Sequence, residues 1–344
     1  MMINKERDKK FDYIIDVRTP QEYEYSHIPH AINLAVFDNQ EYAQIGTLYK
    51  DSPLKAKILG ASIACKNIAK MLENIPEDKS LHAILNHKNK LLIYCARGGK
   101  RSQSMQIIFQ HIGFHTQKLE NGYKGYRNEV LSYFSSPLKH SFIALCGPTG
   151  CGKSEIIQSL NPCSIDLESL AKHYGSSFGG MATFKIGKQP TQKMFENMLF
   201  EELRQKINQP ILFIEAESQK LGSITIPKTL MNAYHNQANI LIEADITSRI
   251  ERILKLYKNI PESEFLWAMG KIKPYLTKNL FDEILILWNH QDLYKIAEIL
   301  IVKYYDKVYK KTKYFHKIYN KNLQDTLGEI LEIKKNYEKS FKPL

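Results

Sequence analysis

Residues 147–154 read GPTGCGKS and satisfy the phosphate-loop pattern G-x-x-x-x-G-K-[ST] in full. This pattern restricts the fold more than any other stretch of the chain. Such a loop works only where a buried strand delivers it and a helix carries it away, because its backbone N–H groups must turn inward around an anion. Both flanks are present: SFIALC before it is continuously apolar, and SEIIQSL after it has helical spacing. Gly147, Thr149, Gly150, Cys151, Gly152, Lys153 and Ser154 are therefore the candidate diphosphate-binding residues. Lys153 is expected to meet a terminal phosphate and Ser154 to offer its hydroxyl to Mg²⁺. Carboxylates from other strand ends usually complete such a site, and Asp166, Glu215 and Glu217 are the candidates. Cys151 is read as a small loop residue facing the cradle. Nothing after the loop specifies a nucleobase, so the motif implies a di- or triphosphate and not, by itself, an ATPase.

A second loop carries different chemistry. LLIYCARGGKRS places Cys95 where an apolar strand gives way to a helix expected over residues 102–112. Gly98 and Gly99 allow backbone N–H groups to turn toward an anion, and Arg97, Lys100 and Arg101 surround it with positive charge. Cations and a helix N-terminus lower a thiol's pKa. Cys95 is the candidate nucleophile, and Arg97, Gly98, Gly99, Lys100 and Arg101 form the candidate anion loop. The spacing Cys95-x5-Arg101-Ser102 also fits a cysteine phosphatase, so an oxyanion-wrapping phosphatase loop is a second reading of the same residues.

The remaining cysteines, Cys65, Cys146 and Cys163, make no disulfide framework or zinc pattern, which suits a reducing, cytoplasmic compartment. Cys65 reads as helix core. Residues 1–10 are polar with no signal-peptide core, and no apolar run is long enough to span a bilayer. The net charge of +12 favours a polyanionic partner, nucleic acid first, or else reflects a lysine-rich surface. The basic, tyrosine-rich stretch VKYYDKVYKKTKYFHKIYNKN suits RNA through phosphate contacts and stacking, or alternatively a helical bundle with buried tyrosines.

Strand-like runs alternate with helical ones in two regions separated by the Ser/Pro-rich SYFSSPLKHS. The fold class is therefore α/β with parallel sheets. The expected organisation is a first domain over residues 1–134, a linker over 135–140, a P-loop domain over 141–260 and a helical, basic region over 261–344. In the first domain YIID, AINLAV and LLIY are expected strands, and PQEYEYS is a short helix opened by Pro20.

Three ordered motifs of the first domain resemble rhodanese signatures. They are Asp16-Val17-Arg18 followed by His27-Ile28-Pro29 and Ala31-Ile32-Asn33, then the Cys95 loop, then LENGYKGYR, in which Asn121 stands where the first glycine of a Leu-x-Gly-Gly is usual. This resemblance implies a rhodanese-like fold carrying Cys95 as a persulfide-type carrier. The loop is one residue longer before its arginine than the common rhodanese loop, which suggests a larger anion or a chalcogen donor.

Over nearly the whole chain, the combination resembles the bacterial tRNA 2-selenouridine synthase family. The carrying residues are YCARGGKRS, Asp166-Leu167-Glu168, His173-Tyr174-Gly175-Ser176, Phe178-Gly179, EAESQKLG and KYYDKVY, with Tyr174 where the family has arginine. The resemblance implies a tRNA-modifying transferase with Cys95 as its catalytic cysteine. Such an enzyme converts a wobble 2-thiouridine to 2-selenouridine by way of S-geranyl-2-thiouridine, using geranyl diphosphate and selenophosphate, with Mg²⁺. The implied partners are a tRNA with a 2-thiouridine wobble base and a selenophosphate-supplying enzyme, with no membrane involved; the oligomeric state stays open. The apolar tail of geranyl diphosphate needs a greasy groove, which Phe178, Met181 and Phe184 in FGGMATF either supply or, as core residues, merely underlie. Two other readings remain: an ATP-dependent sulfurtransferase or switch with a rhodanese-like binding domain, and a Cys-x5-Arg phosphatase fused to a P-loop domain.

Overall fold

The structure, a computed structural model, describes residues 11–74, 84, 88–175, 178–182, 187–235, 238–257, 259–309 and 313–340, with the side chains of residues 181, 182 and 340 excepted. The chain divides into two compact units, residues 1–132 and 133–344.

The first unit is built on a parallel four-stranded sheet in the order β2-β1-β3-β4. Its strands are β1 (Tyr13–Asp16), β2 (Ile32–Asn33), β3 (Lys90–Tyr94) and β4 (His115–Lys118). Thr19 caps α1 (Pro20–Tyr25) through a reciprocal capping box with Glu22, with Pro20 at the first turn. AINLAV pairs only over Ile32–Asn33, because β2 is an edge strand with one neighbour. Two helices between β2 and β3, α2 (Asn39–Asp51) and α3 (Pro53–Asn74), cover the sheet. Ile15, Val17, Leu91, Ile93 and Cys95 pack there with Ile68 of α3 and with Met105 and Phe109 of α4 (Lys100–His111). Cys65 lies in α3 but is exposed, contrary to its expected place in the core, because the helix buries Ala56, Gly60, Ala64 and Ile68 at helical spacing and Cys65 falls off that stripe. The unit ends within α5 (Gly122–Phe134).

The second unit contains a parallel five-stranded sheet ordered β11-β10-β5-β7-β6. Its strands are β5 (Ser141–Cys146), β6 (Ser164–Ile165), β7 (Ile211–Glu215), β10 (Ala238–Glu243) and β11 (His316–Tyr319); β8 (Lys220–Leu221) and β9 (Ile224–Thr225) form a separate antiparallel pair. A parallel sheet covered on both faces needs strands that are apolar throughout, and β5 and β7 are buried at every residue. Alternate side chains serve opposite cores. Phe142, Ala144, Leu212 and Ile214 face one, and Ile143, Leu145, Ile211 and Phe213 the other. In the expected linker, Leu138 packs on the first of these cores.

The helices used below are α6 (Lys153–Ser159), α7 (Leu167–Ala171), α8 (Gln192–Gln205), α9 (Lys228–His235), α10 (Ile246–Tyr257), α11 (Glu262–Ile272), α12 (Lys278–Asn289) and α13 (Leu293–Ile299). The chain continues from α13 through a π-helical stretch, Leu300–Tyr305. These C-terminal helices make their own core, centred on Phe178, Phe265, Met269, Ile284, Trp288, Ile296 and Leu300. The region after residue 260 is helical as expected, with one addition: β11 extends the sheet beside β10 before the last helix, α14 (Leu323–Ser340).

Candidate active site

In the first unit β3 delivers Cys95 to the N-terminus of α4. The thiol is almost fully buried, at 3% exposure. Its Sγ accepts the Gly99 N–H at 3.1 Å and lies 3.2 Å from Ser102 Oγ. Burial pushes the thiol pKa up, but hydrogen bonds from the Ser102 hydroxyl and the backbone N–H groups of Ser102, Arg97 and Gly99 prevail and hold it below the usual cysteine value. Cys95 is therefore biased toward thiolate by oriented N–H and O–H dipoles.

Of the two expected causes, the oriented N–H groups at the helix N-terminus act on the thiol, while the cationic side chains are not among its main influences. Arg101 lies in the first turn of α4, and its guanidinium donates to Glu22 at 2.7 Å and rests 4.5 Å from the Tyr42 ring. Burial acts to raise the Glu22 carboxyl, and the pairing with Arg101 overrides it and lowers it. Arg97 and Lys100 point to solvent, where they can meet an arriving anion. α4 starts at Lys100, two residues earlier than expected, so Ser102 sits in its first turn with its hydroxyl against the sulfur.

The rhodanese-like motifs hold this loop. The Tyr123 and Lys124 N–H groups, opening α5, donate to the Cys95 and Ala96 carbonyls, each at 2.9 Å. Gly122 passes so close beneath that a Cβ there would stand 2.2 Å from the Cys95 carbonyl oxygen. Asn121 takes the left-handed backbone (φ 57°), the one non-glycine type besides Asp that does so readily, which explains how it replaces a glycine. Buried Arg18 donates to both Asp16 oxygens and to the Ser26 carbonyl, and its guanidinium lies 3.9 Å from the Tyr123 ring. Asp16 also accepts the Tyr94 hydroxyl at 2.7 Å. The Asp-x-Arg signature thus braces the strand that carries Cys95.

In the second unit the P-loop runs from β5 into α6 with Gly147, Gly150 and Gly152 all at positive φ. Other chain segments approach at those points: a Cβ on Gly147 would stand 2.2 Å from the Ile242 carbonyl oxygen, and one on Gly152 2.5 Å from Asn320 Nδ2. The Lys153 ammonium curls over the loop and donates to the Gly147 carbonyl at 2.8 Å. Burial opposes its charge, but Cys151, Glu217 and Glu168 nearby raise its pKa. Cys151 is fully buried rather than exposed to the cradle as expected: it belongs to the apolar cluster that includes Ile156 and Ile242, with Lys153 Nζ 3.9 Å from its sulfur.

Ser154 meets an acid that the sequence reading named in a motif but left out of the site. Its hydroxyl donates to Glu168 Oε2 at 2.5 Å. Glu168 and Glu217 converge on Gly175, where a Cβ would stand 2.5 Å from Glu168 Oε1 and 2.8 Å from Glu217 Oε2. Burial first, and then repulsion from Glu217, pushes the Glu168 carboxyl up to about 8. Burial also raises Glu217. Glu215 is not part of this pair. It lies fully buried at the end of β7, accepts the Leu167 N–H at 2.9 Å, and among the described residues Oε1 has no hydrogen-bond partner. Asp166 caps α7 by accepting the Ser169 N–H at 2.8 Å. Lys153, Ser154, Glu168 and Glu217 are therefore brought together, while Glu215 and Asp166 orient α7, which carries Glu168. Among the described residues, no group of three His, Cys, Asp or Glu side chains is arranged to hold a metal by itself.

Long-range contacts that leave no local mark in the sequence complete the loop. Arg249 of α10 donates from Nε to the Thr149 carbonyl at 2.9 Å while its other nitrogens grip Asp306 at 2.9 and 2.6 Å. Asn320, just past β11, donates to the Cys151 carbonyl at 2.9 Å and accepts the Thr326 hydroxyl at 3.0 Å.

An apolar cavity opens at Thr149. Phe178, Ile253, Leu254, Phe265, Trp288 and Tyr305 are among the residues that line it. Phe265 and Trp288 stack with ring centroids 3.8 Å apart. Of the apolar residues expected to line a groove, Phe178 does so and also belongs to the helical core; the Met181 side chain and Phe184 lie outside the described residues. Tyr174 stands edge-on to Tyr257, a lining residue of this cavity, with centroids 6.3 Å apart.

Comparison with known proteins agrees with both units. Residues 2–129 match the rhodanese-like domain, and residues 140–286 match the tRNA 2-selenouridine synthase AAA domain. A tRNA 2-selenouridine synthase of Alcanivorax borkumensis is 33% identical over 296 residues, covering 81% of this chain and 77% of that protein. Those of Nitrosomonas europaea and Nitrosomonas eutropha are 30% and 32% identical, each over 71% of this chain. The chain spans 63% and 62% of their respective lengths. From the two domain matches and this likeness, the chain belongs to the tRNA 2-selenouridine synthase family.

Proposed function

We propose that this protein is a tRNA-modifying transferase that replaces the sulfur of a wobble 2-thiouridine with selenium through an S-geranyl intermediate. The observation that carries the prenyl half is the apolar cavity at Thr149. A nucleotide would need polar recognition of its base beside the loop, whereas an allylic diphosphate needs an apolar slot there. The slot is narrow, about 60 Å³, so a prenyl chain fills it only as lining side chains rotate aside.

In the first step the 2-thiouridine sulfur bonds to C1 of geranyl diphosphate, the C1–O bond breaks, diphosphate leaves, and the base gives up its N3 proton. The loop N–H groups and Lys153 hold the diphosphate as negative charge develops on it. Hard oxygen donors suit Mg²⁺: the Ser154 hydroxyl and Glu168 or Glu217 would hold it together with diphosphate oxygens. Bound there, Mg²⁺ would neutralise diphosphate charge. Two buried carboxyls kept from ionising together, beside one lysine, fit a site that awaits a further cation.

In the second step the Cys95 thiolate adds to C2 of the base, the C2–S bond breaks and geranylthiol departs with a proton; the selenium of selenophosphate then displaces Cys95 from C2, and water cleaves the P–Se bond to release phosphate. Cys95 supplies the nucleophile of this step, with the N–H groups of its loop and the exposed Arg97 and Lys100 receiving the donor's phosphate. The substrates are a tRNA and the two small anions, with a selenophosphate-supplying enzyme upstream. The bacterial cytoplasm is the compartment of the reading; no helix among the described residues is long and apolar enough to cross a membrane.

Calorimetry with Mg²⁺ tests the prenyl assignment. Geranyl diphosphate should bind at least about tenfold more tightly than ATP, a difference of about 1.4 kcal/mol. Equal or tighter ATP binding, with hydrolysis stimulated by tRNA, favours the ATP-dependent reading instead.

A further inference from the structure

The apolar cavity adjoins another across shared side chains. Tyr257, Ile260, Trp288 and Leu293 line it and also line a second, larger pocket of about 460 Å³. That pocket is of opposite character: its other lining residues are Asn259, Glu262, Asn289 and Gln291, all exposed. Thr149 borders the apolar side, and amides and a carboxylate lie on the far side of these four shared residues. The change in polarity comes from chain geometry. Asn259 and Gln291 occupy left-handed turn positions (φ 62° and 58°) that begin the connections into α11 and α13, and turns of this kind take polar residues.

We propose that this boundary sets the length of prenyl chain the P-loop site accepts. The proposal rests on the prenyl reading above. A chain that stops before Tyr257 and Trp288 buries all its carbons against apolar side chains. A longer chain must lay its end beside Asn259, Glu262, Asn289 and Gln291, where burial displaces their hydrating water without replacing its hydrogen bonds. The added carbons then gain little. Once the shared side chains rotate aside, the second pocket has room for a further isoprene unit, so the polarity of its lining is what opposes a longer chain. Glu262, Asn289 and their neighbours thus act as specificity-determining residues for the allylic diphosphate.

The test makes the far pocket apolar. Glu262 and Asn289 are suitable positions because neither holds the left-handed backbone of Asn259 and Gln291. Binding of geranyl and farnesyl diphosphate is measured by calorimetry on the full-length wild-type chain and on Glu262→Leu/Asn289→Leu. Inorganic diphosphate serves as the check that the loop is intact. The expected result is a rise of at least about tenfold in farnesyl affinity relative to geranyl affinity in the variant. If the double variant loses inorganic diphosphate binding, Asn289→Leu alone is read the same way. An unchanged ratio in a variant that binds inorganic diphosphate normally overturns the length boundary and leaves the prenyl reading standing. Wild-type protein that binds neither prenyl diphosphate more tightly than inorganic diphosphate overturns the prenyl reading itself.

Discussion

Removing one hydroxyl should make Cys95 a weaker acid without touching the fold around it. Ser102 Oγ lies 3.2 Å from the sulfur and is buried in the first turn of α4. In the thiol form the hydroxyl donates to the Gly99 carbonyl at 3.1 Å, and in the thiolate form it can turn to the sulfur. A hydrogen bond to a charged group contributes about 1.5–3 kcal/mol, and the lost carbonyl bond offsets part of that, so the lower end applies. Ser102→Ala should therefore cost the thiolate about 1.4 kcal/mol, or about tenfold in thiolate fraction at a pH below the thiol's pKa. A more basic thiolate is also intrinsically more nucleophilic, with a Brønsted slope of about 0.4–0.5, which returns about threefold. The net expectation is a fall of about threefold in the rate of Cys95 alkylation by iodoacetamide on the acid side of the rate–pH midpoint, with that midpoint moved upward. The assay is alkylation followed by mass spectrometry of the Cys95 peptide over a pH series. An unmoved midpoint in a folded Ser102→Ala protein refutes the argument that dipoles of this loop set the acidity of Cys95.

Cys95→Ser should abolish selenium incorporation while tRNA binding persists, and Lys153→Ala should remove S-geranyl-thiouridine from tRNA, with selenation largely restored by supplying tRNA already geranylated; nucleoside mass spectrometry reads both. Folding raises Glu168 from its ordinary 4.5 to about 8, so the folded state holds a proton that the unfolded state releases. That contribution is fully present below 4.5 and is lost as pH rises toward 8. Glu168→Gln should flatten part of this decline in thermal midpoint against pH, the remainder belonging to Glu215 and Glu217, which burial also raises. An identical slope in wild type and variant contradicts the placement of the Glu168 proton.

Much of this protein was determined locally and is therefore legible in sequence. The P-loop lies within eight consecutive residues, since its anion cradle is made by its own backbone. The continuous apolar runs of β5 and β7 announce a sheet buried on both faces, and the Cys95 loop declares a strand–helix junction through its own glycines. What the tertiary structure decided is which groups face these loops. Three cations follow Cys95, yet Glu22, distant in sequence, takes Arg101 away, and Ser102 with the backbone N–H groups governs the thiol. Three acids were plausible partners for Ser154, and the fourth, Glu168, took the place because Asp166 and Glu215 were used in orienting α7. Arg249 and Asn320 reach the P-loop carbonyls from 100 and 169 residues away, and the cavity at Thr149 is assembled from helices that follow the sheet. A side chain's chemistry is written at its own position, but its partner is whatever the packed fold brings within hydrogen-bonding distance, and no periodicity or spacing within a segment encodes that.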